Sequence, residues 1–522
     1  MKKVLVTLAA LLLLGAVSAQ TLVYGVSGFP SSLDAVDSQD GNSLVVSAQV
    51  TERLVDFAPG GTDLIPGLAT EWSANDDSTE WVFTLRDGVT FHDGTPFNAD
   101  AVKFNVDRWN DPANPNGHRA DGKTFVPWGW VFGGPLGEGN LIAETVVVDD
   151  THVQFNLTQP APFLPALWAA VYFQFGSPAA IEAAGVAYGT PGVGAVGTGP
   201  FKFVEWVEGE RVVLERNDDY WNGPAQVEQV VFRGIAEPTA RLAELQAGTI
   251  DIAVLLSVDD LQTVQNDPNL ITAIPTSELN VGYIAMHQAN EPLDNLLVRQ
   301  AIAHAIDREA IIDAFYGGLG VPAYAFIPAS MAGQGDPWPY DYDPERAREL
   351  LAEAGYADGF TTEFWYMPVS RPYYPAPQPI AETIASFLAD VGITVELMTE
   401  DWTTYLADYQ TGKFPMYMLG WNADYADPDN FLRTFFGPTA PSDLGWDSPE
   451  TVDMLQQALQ VADPTVRANL YAQVHNNVNA AAPSIPFAYN RTLNAMRSNI
   501  DGWVASPLGY SSVSLHTVTK AE

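Results

Sequence analysis

The sequence predicts an α/β protein. Two observations indicate this class: hairpin patterns in the N-terminal third, and helices that alternate with short apolar runs in the C-terminal half. The apolar runs with the length of strands are residues 364–367, 395–398 and 414–419. No internal repeat or low-complexity tract divides the chain, so composition alone does not mark domain boundaries.

Two hairpins are predicted in the N-terminal third. Residues 81–86 alternate in polarity, residues 87–88 are an Asp-Gly turn, and residues 89–91 follow as the partner strand. Residues 146–148 and 153–157 form the second predicted hairpin. Antiparallel sheet is therefore expected in this part of the chain.

Three segments carry helix signals. Asn98 or Asp100 can cap a helix that continues to residue 109. Residues 299–315 predict a single amphipathic helix that ends at a pair of glycines. Residues 343–355 have an Asp cap, a Pro in the first turn and a closing Gly, which is the strongest helix signal of the three.

Between the predicted N-terminal elements, residues 107–140 are rich in Gly, Pro and Asn. These residues favour turns and lower the probability of regular structure. The sequence therefore predicts a long surface excursion here.

Residues 1–19 have the pattern of a secretory signal peptide. Two lysines precede an apolar run, and Val17-Ser18-Ala19 is a small-residue cleavage site. The run is shorter than the roughly 20 residues of a membrane-spanning helix. The chain has no cysteine, so neither a lipoprotein anchor nor disulfides are expected. We predict a protein that is free in the periplasm.

The charge of the chain disfavours nucleic acid as a partner. There are 64 acidic and 24 basic residues, which gives a net charge of −40. Phosphate backbones repel such a surface. The acidic residues are spread along the sequence, as expected for a soluble surface.

No motif for catalysis, cofactor or metal binding is convincing. Residues 192–197 match G-x-G-x-x-G, but further Gly and Pro surround them and a strand pattern at 201–206 follows where a dinucleotide site needs a helix. The seven histidines lack metal-ligand spacing, and no G-x-S-x-G elbow occurs. We therefore expect no cofactor, no metal and no enzymatic activity.

One stretch has the composition of a binding site. The apolar run at 414–419 leads into Gly420 and Trp421, and three carboxylates follow at positions 424, 427 and 429. They match a calcium loop only in part, because its central Gly and closing Glu are missing. An aromatic face beside a fixed carboxylate suits a small ligand that carries a positive charge.

Several segments, in order, resemble the extracytoplasmic solute-binding proteins of ABC importers, in the peptide and nickel branch (solute-binding protein family 5). The similarity is greatest to dipeptide-binding members. The segments that carry the resemblance are residues 66–97, 197–201, 215–221, 298–308, 343–355 and 420–430.

The resemblance implies a two-lobed periplasmic-binding-protein fold (type II) with an inserted subdomain and a two-strand hinge. Lobe I is expected to comprise residues 20–55, 190–278 and 492–522. The inserted subdomain is expected at residues 56–189 and lobe II at residues 279–491. Ligand binding then closes the hinge, and a membrane permease recognises the closed form.

The resemblance also implies a two-ended site. Residues 367–375 are similar to the segment whose arginine binds the ligand's carboxylate, a role that falls on Arg371. Residues 421–424 are similar to the segment whose aspartate binds the α-ammonium, a role that falls on Asp424. The full set of ligand-binding residues expected on this basis is Asp424, Arg371, Trp421, Gly420, Leu419, Ser27 and Gly28.

A cation and an anion at a fixed separation would measure the length of a zwitterionic peptide. Backbone atoms of Leu419, Gly420 and Trp421 can pair with the peptide main chain as an added strand. One departure from the family pattern is the proline-rich run at residues 375–379, which affects the approach to the next helix and with it Arg371.

The leading hypothesis is thus a monomeric periplasmic dipeptide-binding protein that delivers its ligand to an ABC permease. Within the same family, a longer oligopeptide, an oligosaccharide or a nickel complex are alternative solutes. A secreted hydrolase is the alternative from a different class.

Overall fold

The computed structural model describes residues 20–137, 139–438 and 440–521. The predicted signal peptide, residues 1–19, lies outside the described residues. In the part of the chain that is described, no helix combines the length and the hydrophobicity needed to cross a membrane.

The strands are β1 (Thr21–Val26), β2 (Val55–Phe57), β3 (Leu64–Pro66), β4 (Ala69–Ala74), β5 (Glu80–Leu85), β6 (Ile142–Asp149), β7 (His152–Leu157), β8 (Phe201–Val207), β9 (Arg211–Arg216), β10 (Gln229–Gly234), β11 (Ile252–Leu256), β12 (Leu270–Ala273), β13 (Asn280–Met286), β14 (Gly320–Pro322), β15 (Phe360–Trp365), β16 (Ile393–Met398), β17 (Met416–Asn422), β18 (Ser484–Asn490), β19 (Leu493–Arg497), β20 (Ile500–Asp501) and β21 (Thr519–Lys520).

The helices are α1 (Gly41–Val50), α2 (Ala99–Asn110), α3 (Val126–Phe132), α4 (Leu164–Trp168), α5 (Pro178–Ala184), α6 (Pro238–Ala247), α7 (Leu261–Asn266), α8 (Leu296–Ala305), α9 (Arg308–Phe315), α10 (Pro344–Glu353), α11 (Pro377–Asp390), α12 (Trp402–Tyr409), α13 (Asp429–Phe436), α14 (Ala440–Leu444), α15 (Pro449–Gln460) and α16 (Pro464–Ala481).

Three larger sheets organise the chain. The first has the order β12-β19-β11-β1-β10-β9-β8, and β1 at its centre is parallel to both of its neighbours. The second is a four-stranded antiparallel sheet, β4-β5-β7-β6. The third has the order β14-β18-β13-β17-β15-β16 and is mixed. Each has a core of its own, and the α/β class is confirmed.

The chain passes from the first sheet to the third after β12 and returns between β18 and β19. The two crossing segments are joined by side chains. The Asn280 amide donates to the carbonyl oxygen of Asn490 over 2.8 Å, and the Asn490 N–H donates to the Asn280 side chain over 3.1 Å. Glu278 accepts from the N–H of Thr492 over 2.8 Å, and burial raises the pKa of Glu278 to about 8.

Local signals were correct where the chain contains its own start and stop residues. Asp343 caps α10 through the N–H of Arg346, and Asn98 caps α2 through the N–H of Ala101. The predicted hairpin of β6 and β7 is also present. The glycines at 192–197 form a loop, with no helix behind them.

The predicted strand at residues 89–91 is wrong. The turn at residues 87–88 is present, but β5 lies between β4 and β7, so both of its edges are already paired. Residues 89–91 then make only an isolated bridge, between Thr90 and Pro96. Competition from strands elsewhere in the chain decided the pairing.

Two further predictions, one of a surface excursion and one of a single helix, were also wrong. Residues 107–140 are not only a surface excursion, because α3 lies within them and its Trp128 is buried against Trp109 with ring centroids 5.8 Å apart. Residues 299–315 form two helices, α8 and α9. The Asp307 side chain accepts from the N–H of Ala310 and so starts a new helix inside the apolar stripe.

A buried ionic cluster ties the start of the chain to residues 108–123. Asp34 accepts hydrogen bonds from Arg108 over 3.1 Å and from Lys123 over 3.0 Å, and Lys123 also contacts Asp37 over 2.9 Å. Burial by itself would raise the pKa of Asp34, but the charges of Arg108 and Lys123 outweigh it and hold that pKa below its usual value.

We predict that Arg108→Leu lowers the free energy of unfolding by about 3 kcal/mol, because it removes one partner of a buried ion pair. Arg346→Leu is the control, since its pair with Glu349 is exposed and such pairs contribute at most about 1 kcal/mol. Urea denaturation followed by circular dichroism measures both. Equal midpoints for the two variants would contradict the prediction.

Candidate functional site

A cavity of about 1520 Å³ opens between two parts of the chain. One wall comes from residues 31–172 and the other from residues 283–484. Ligand sites for small molecules measure roughly 300–1,000 Å³, so this cavity has room for more than a single amino acid. Five of the seven predicted residues line it: Arg371, Leu419, Gly420, Trp421 and Asp424.

Asp424 lies two residues beyond β17 and is held by neutral donors. Its Oδ1 accepts from the Tyr172 hydroxyl over 3.1 Å, and its Oδ2 accepts from the Asn430 amide over 3.2 Å. In the described part of the chain, no lysine or arginine forms an ion pair with it. Burial therefore raises the pKa of Asp424 to about 6, despite the two hydrogen bonds.

The two neighbouring carboxylates are already paired. Arg467 donates to Asp427 from two nitrogens, at 2.5 and 2.8 Å. Arg433 contacts Asp429 at 2.6 Å, one helical turn along α13. Asp427 also accepts from the N–H of Asp429 at the start of this helix. Of the three carboxylates in the stretch, only Asp424 lacks an arginine.

Trp421 and Asn430 shape the same end of the cavity. Asn430 Oδ1 accepts from the indole N–H of Trp421 over 3.1 Å and from the N–H of Asp424 over 2.9 Å. The Trp421 ring meets Phe435 edge-on at 6.1 Å. One asparagine thus orients both the aromatic wall and the carboxylate.

The backbone around Gly420 has one open edge. β17 extends through Asn422, three residues farther than predicted, and pairs with β13 along its whole length. Its other neighbour, β15, pairs only with Met416 and Tyr417. In the described chain, no strand therefore covers that edge of Leu419, Gly420 and Trp421.

Arg371 lies in a tight turn on the same wall. Its N–H donates to the carbonyl oxygen of Tyr374 over 3.0 Å, and the reverse bond has the same length. Its guanidinium carbon lies 4.7 Å from the centre of the Trp402 ring. No carboxylate of a described residue forms an ion pair with Arg371, so the guanidinium can bind an anionic group of a ligand.

Ser27 and Gly28 do not lie among the lining residues of the cavity. The Ser27 hydroxyl donates to Asn42 over 3.2 Å, and a methyl group at Gly28 would lie 2.9 Å from the same amide. The first wall reaches the cavity through residues 31–40 instead. The role of these two residues stays a prediction without support from the geometry.

The sequence interpretation missed the aromatic lining of the cavity. The residues concerned come from separate segments and are Trp130, Tyr172, Tyr283, Phe326, Tyr373, Trp402, Tyr409, Tyr417 and Phe435. No local pattern joins them. The Asp429–Arg433 pair was detectable, because its spacing of four residues lies on one helix face. Among the described residues, no group of three or more acidic or His side chains has metal-site geometry.

Comparison with known proteins agrees with this architecture. The family described as "Bacterial extracellular solute-binding proteins, family 5 Middle" matches residues 63–443. The protein named dipeptide-binding protein of Escherichia coli (strain K12) is 34% identical, over 98% of this chain and 96% of that protein. The protein named heme-binding protein A of Haemophilus influenzae is also 34% identical, over 95% of this chain and 92% of that protein.

A solved structure is similar over the same extent. The dipeptide binding protein from Pseudoalteromonas sp. SM9913, in complex with Met-Leu, has a TM-score of 0.83 and 30% identity and covers 96% of this chain and 100% of its own. The expected two-lobed fold is therefore confirmed. Because the family match covers most of the chain and the relatives align nearly end to end, this chain belongs to the family 5 bacterial extracellular solute-binding proteins.

Proposed function

We propose that this protein captures short peptides, and dipeptides in particular, and passes them to an ABC permease. The observation that carries the proposal is a pair of charges in one cavity. Among the described residues, Asp424 forms no ion pair with a cation and Arg371 none with an anion, although the neighbouring Asp427 and Asp429 are both paired with arginines. A zwitterion that spans the cavity would satisfy both groups.

The role of each group follows from its chemistry. The α-ammonium of a peptide would replace the missing cation at Asp424, beside the hydroxyl of Tyr172. The α-carboxylate would bind the guanidinium of Arg371. Between them, the open edge of β17 offers backbone donors and acceptors to the peptide main chain. Such main-chain pairing does not depend on the side chains of the peptide.

The names of the relatives support this ligand class. The Escherichia coli relative is named for dipeptides, and the Pseudoalteromonas protein was solved with Met-Leu. The cavity volume of about 1520 Å³ favours a second candidate, a longer oligopeptide, because a dipeptide alone would leave much of this space to water.

We further propose that the chain divides as the resemblance implies, into residues 20–55, 190–278 and 492–522, an insertion at 56–189, and residues 279–491. The three larger sheets support this division. The crossing segments tied by Glu278 and Asn490 would then be the hinge. Closure would bring the two walls of the cavity onto the ligand.

The remaining parts of the proposal concern the setting. The protein would be exported by its N-terminal signal, remain free in the periplasm and act as a monomer. It would bind without turnover, cofactor or nucleic acid. Its family membership and its acidic surface support this assignment.

Calorimetry with three peptides tests the ligand class. We expect Ala-Ala to bind at least about 100-fold more tightly than N-acetyl-Ala-Ala, because the blocked form leaves Asp424 buried without a cation. We also expect Ala-Ala to bind more tightly than Ala-Ala-Ala-Ala. Tight binding of the tetrapeptide would favour the oligopeptide candidate, and tight binding of the blocked peptide would contradict the two-ended site. Mass spectrometry of a co-purified ligand is an independent check.

We predict that Asp424→Ala weakens Ala-Ala binding by at least about 100-fold, since it removes one member of a buried charge pair. Asp427→Asn is the matched control, because Asp427 is paired with Arg467 and does not line the cavity. It should lower thermal stability and leave the affinity within about threefold. Equal losses of affinity would mean that the wrong carboxylate is assigned.

The affinity should depend on pH through Asp424. Its pKa of about 6 in the free protein is raised, so the group takes up a proton as the pH falls below that value, and ammonium binding must displace the proton. We expect the highest affinity near pH 7 and a loss that approaches about tenfold per pH unit well below pH 6, whereas deprotonation of the peptide's α-ammonium, with a pKa of about 8, weakens binding towards pH 8. In Asp424→Asn, the loss of affinity at low pH should vanish. If the loss persists in that variant, another group causes the pH dependence.

A further inference from the structure

The turn that carries Arg371 lies directly on two glycines. Gly282 of β13 and Gly420 of β17 are opposite each other in the antiparallel register, so both leave the same face of the sheet bare. A methyl group at Gly282 would lie 2.9 Å from the carbonyl oxygen of Tyr373, and one at Gly420 would overlap the Tyr373 ring. A side chain at Gly282 would therefore push against the backbone of the turn, and one at Gly420 would displace the Tyr373 ring.

Three hydrogen bonds hold the turn in this place. The Tyr316 hydroxyl donates to the carbonyl oxygen of Tyr373 over 2.9 Å, and the Asn490 amide donates to that of Pro372 over 2.6 Å. The Tyr374 hydroxyl donates to the carbonyl oxygen of Tyr283 over 3.1 Å. Tyr316 and Tyr374 are fully buried, so these bonds form away from water.

All of these contacts involve the backbone or the neighbours of Arg371. The guanidinium itself is left to line the cavity, where it stacks on Trp402. Different atoms therefore anchor the turn and bind the ligand. The sheet fixes the backbone of Arg371, and the guanidinium faces the cavity. A bidentate contact with a carboxylate depends on such fixed geometry.

We infer that the Gly282–Gly420 pair and Tyr316 are positioning residues for Arg371, and that they determine the selectivity of the site for a free C-terminal carboxylate. The inference rests on the proposed peptide function. Gly420 then has a second role besides contact with the ligand, because the Tyr373 ring packs directly against it. Gly282 and Tyr316 are not among the residues that line the cavity, whereas Gly420 also lines it.

Two selectivity ratios, measured by calorimetry on the full-length mature protein, test the inference. The ratio of dissociation constants for Ala-Ala-amide and Ala-Ala reports on the carboxylate end. The ratio for N-acetyl-Ala-Ala and Ala-Ala reports on the amine end. Arg371→Ala sets the carboxylate ratio that remains when the guanidinium is absent.

We expect Gly420→Ala and Tyr316→Phe to lower the carboxylate ratio by at least about fivefold and to leave the amine ratio within about twofold. Gly192→Ala and Tyr489→Phe are the matched controls. The first adds the same methyl group to open space, and the second removes a hydroxyl that bonds the carbonyl oxygens of Ala325 and Ile327. Both ratios should stay at the wild-type values in the controls.

A general loss of structure would lower both ratios or neither, so a carboxylate ratio that stays at the wild-type value, or falls together with the amine ratio, overturns the inference. Thermal melting identifies a variant that fails to fold. If Gly420→Ala fails to fold, the result with Tyr316→Phe decides the outcome. If the wild-type protein discriminates both peptide ends and the variants do too, only the positioning role fails. If the wild-type protein binds none of the peptides, the proposed function fails.

Discussion

The antiparallel register between β13 and β17 is the constraint on which both ends of the cleft depend. Immediately beyond β17, the N–H of Ala423 donates to the carbonyl oxygen of Leu279 over 2.8 Å, which fixes the point from which Asp424 projects. The turn of Arg371 lies on the same pair of strands, over Gly282 and Gly420. The same ladder therefore supports both charged groups, Asp424 just beyond its end and Arg371 in the turn packed on its face.

Among the described residues, the cleft buries a carboxylate without a cationic partner, and a cationic ligand group would lower the cost of that burial. A buried carboxylate without a cation is costly, and the raised pKa of Asp424 expresses that cost. The chain has avoided it at Asp427 and Asp429, which Arg467 and Arg433 neutralise. The two paired carboxylates and the proposed binding carboxylate thus lie within six residues of each other, and the position of nearby arginines distinguishes them.

The two walls of the cavity already touch at its acidic end. Tyr172 donates to Asp424, Gln456 donates to Gln159 over 3.1 Å, and Arg467 lies 4.8 Å from the ring of Phe163. At the crossing segments, Glu278 and Thr492 are bonded to each other. The walls also share apolar contacts, because Tyr425 and Leu459 of the second wall pack into the core formed by residues of the first.

The sequence by itself determined the elements whose signals are local. Asp343 and the following proline fixed the start of α10, and the second hairpin followed from its own alternation, because caps and turns act over three or four residues. The resemblance to the family also predicted Arg371 and Asp424 as the two ends of the site. Only the tertiary structure decided that residues 89–91 lose their strand partner, since β4 and β7 occupy both edges of β5. It alone showed which carboxylate stays unpaired, because Arg467 reaches Asp427 across 40 residues of chain, a contact that no local pattern encodes.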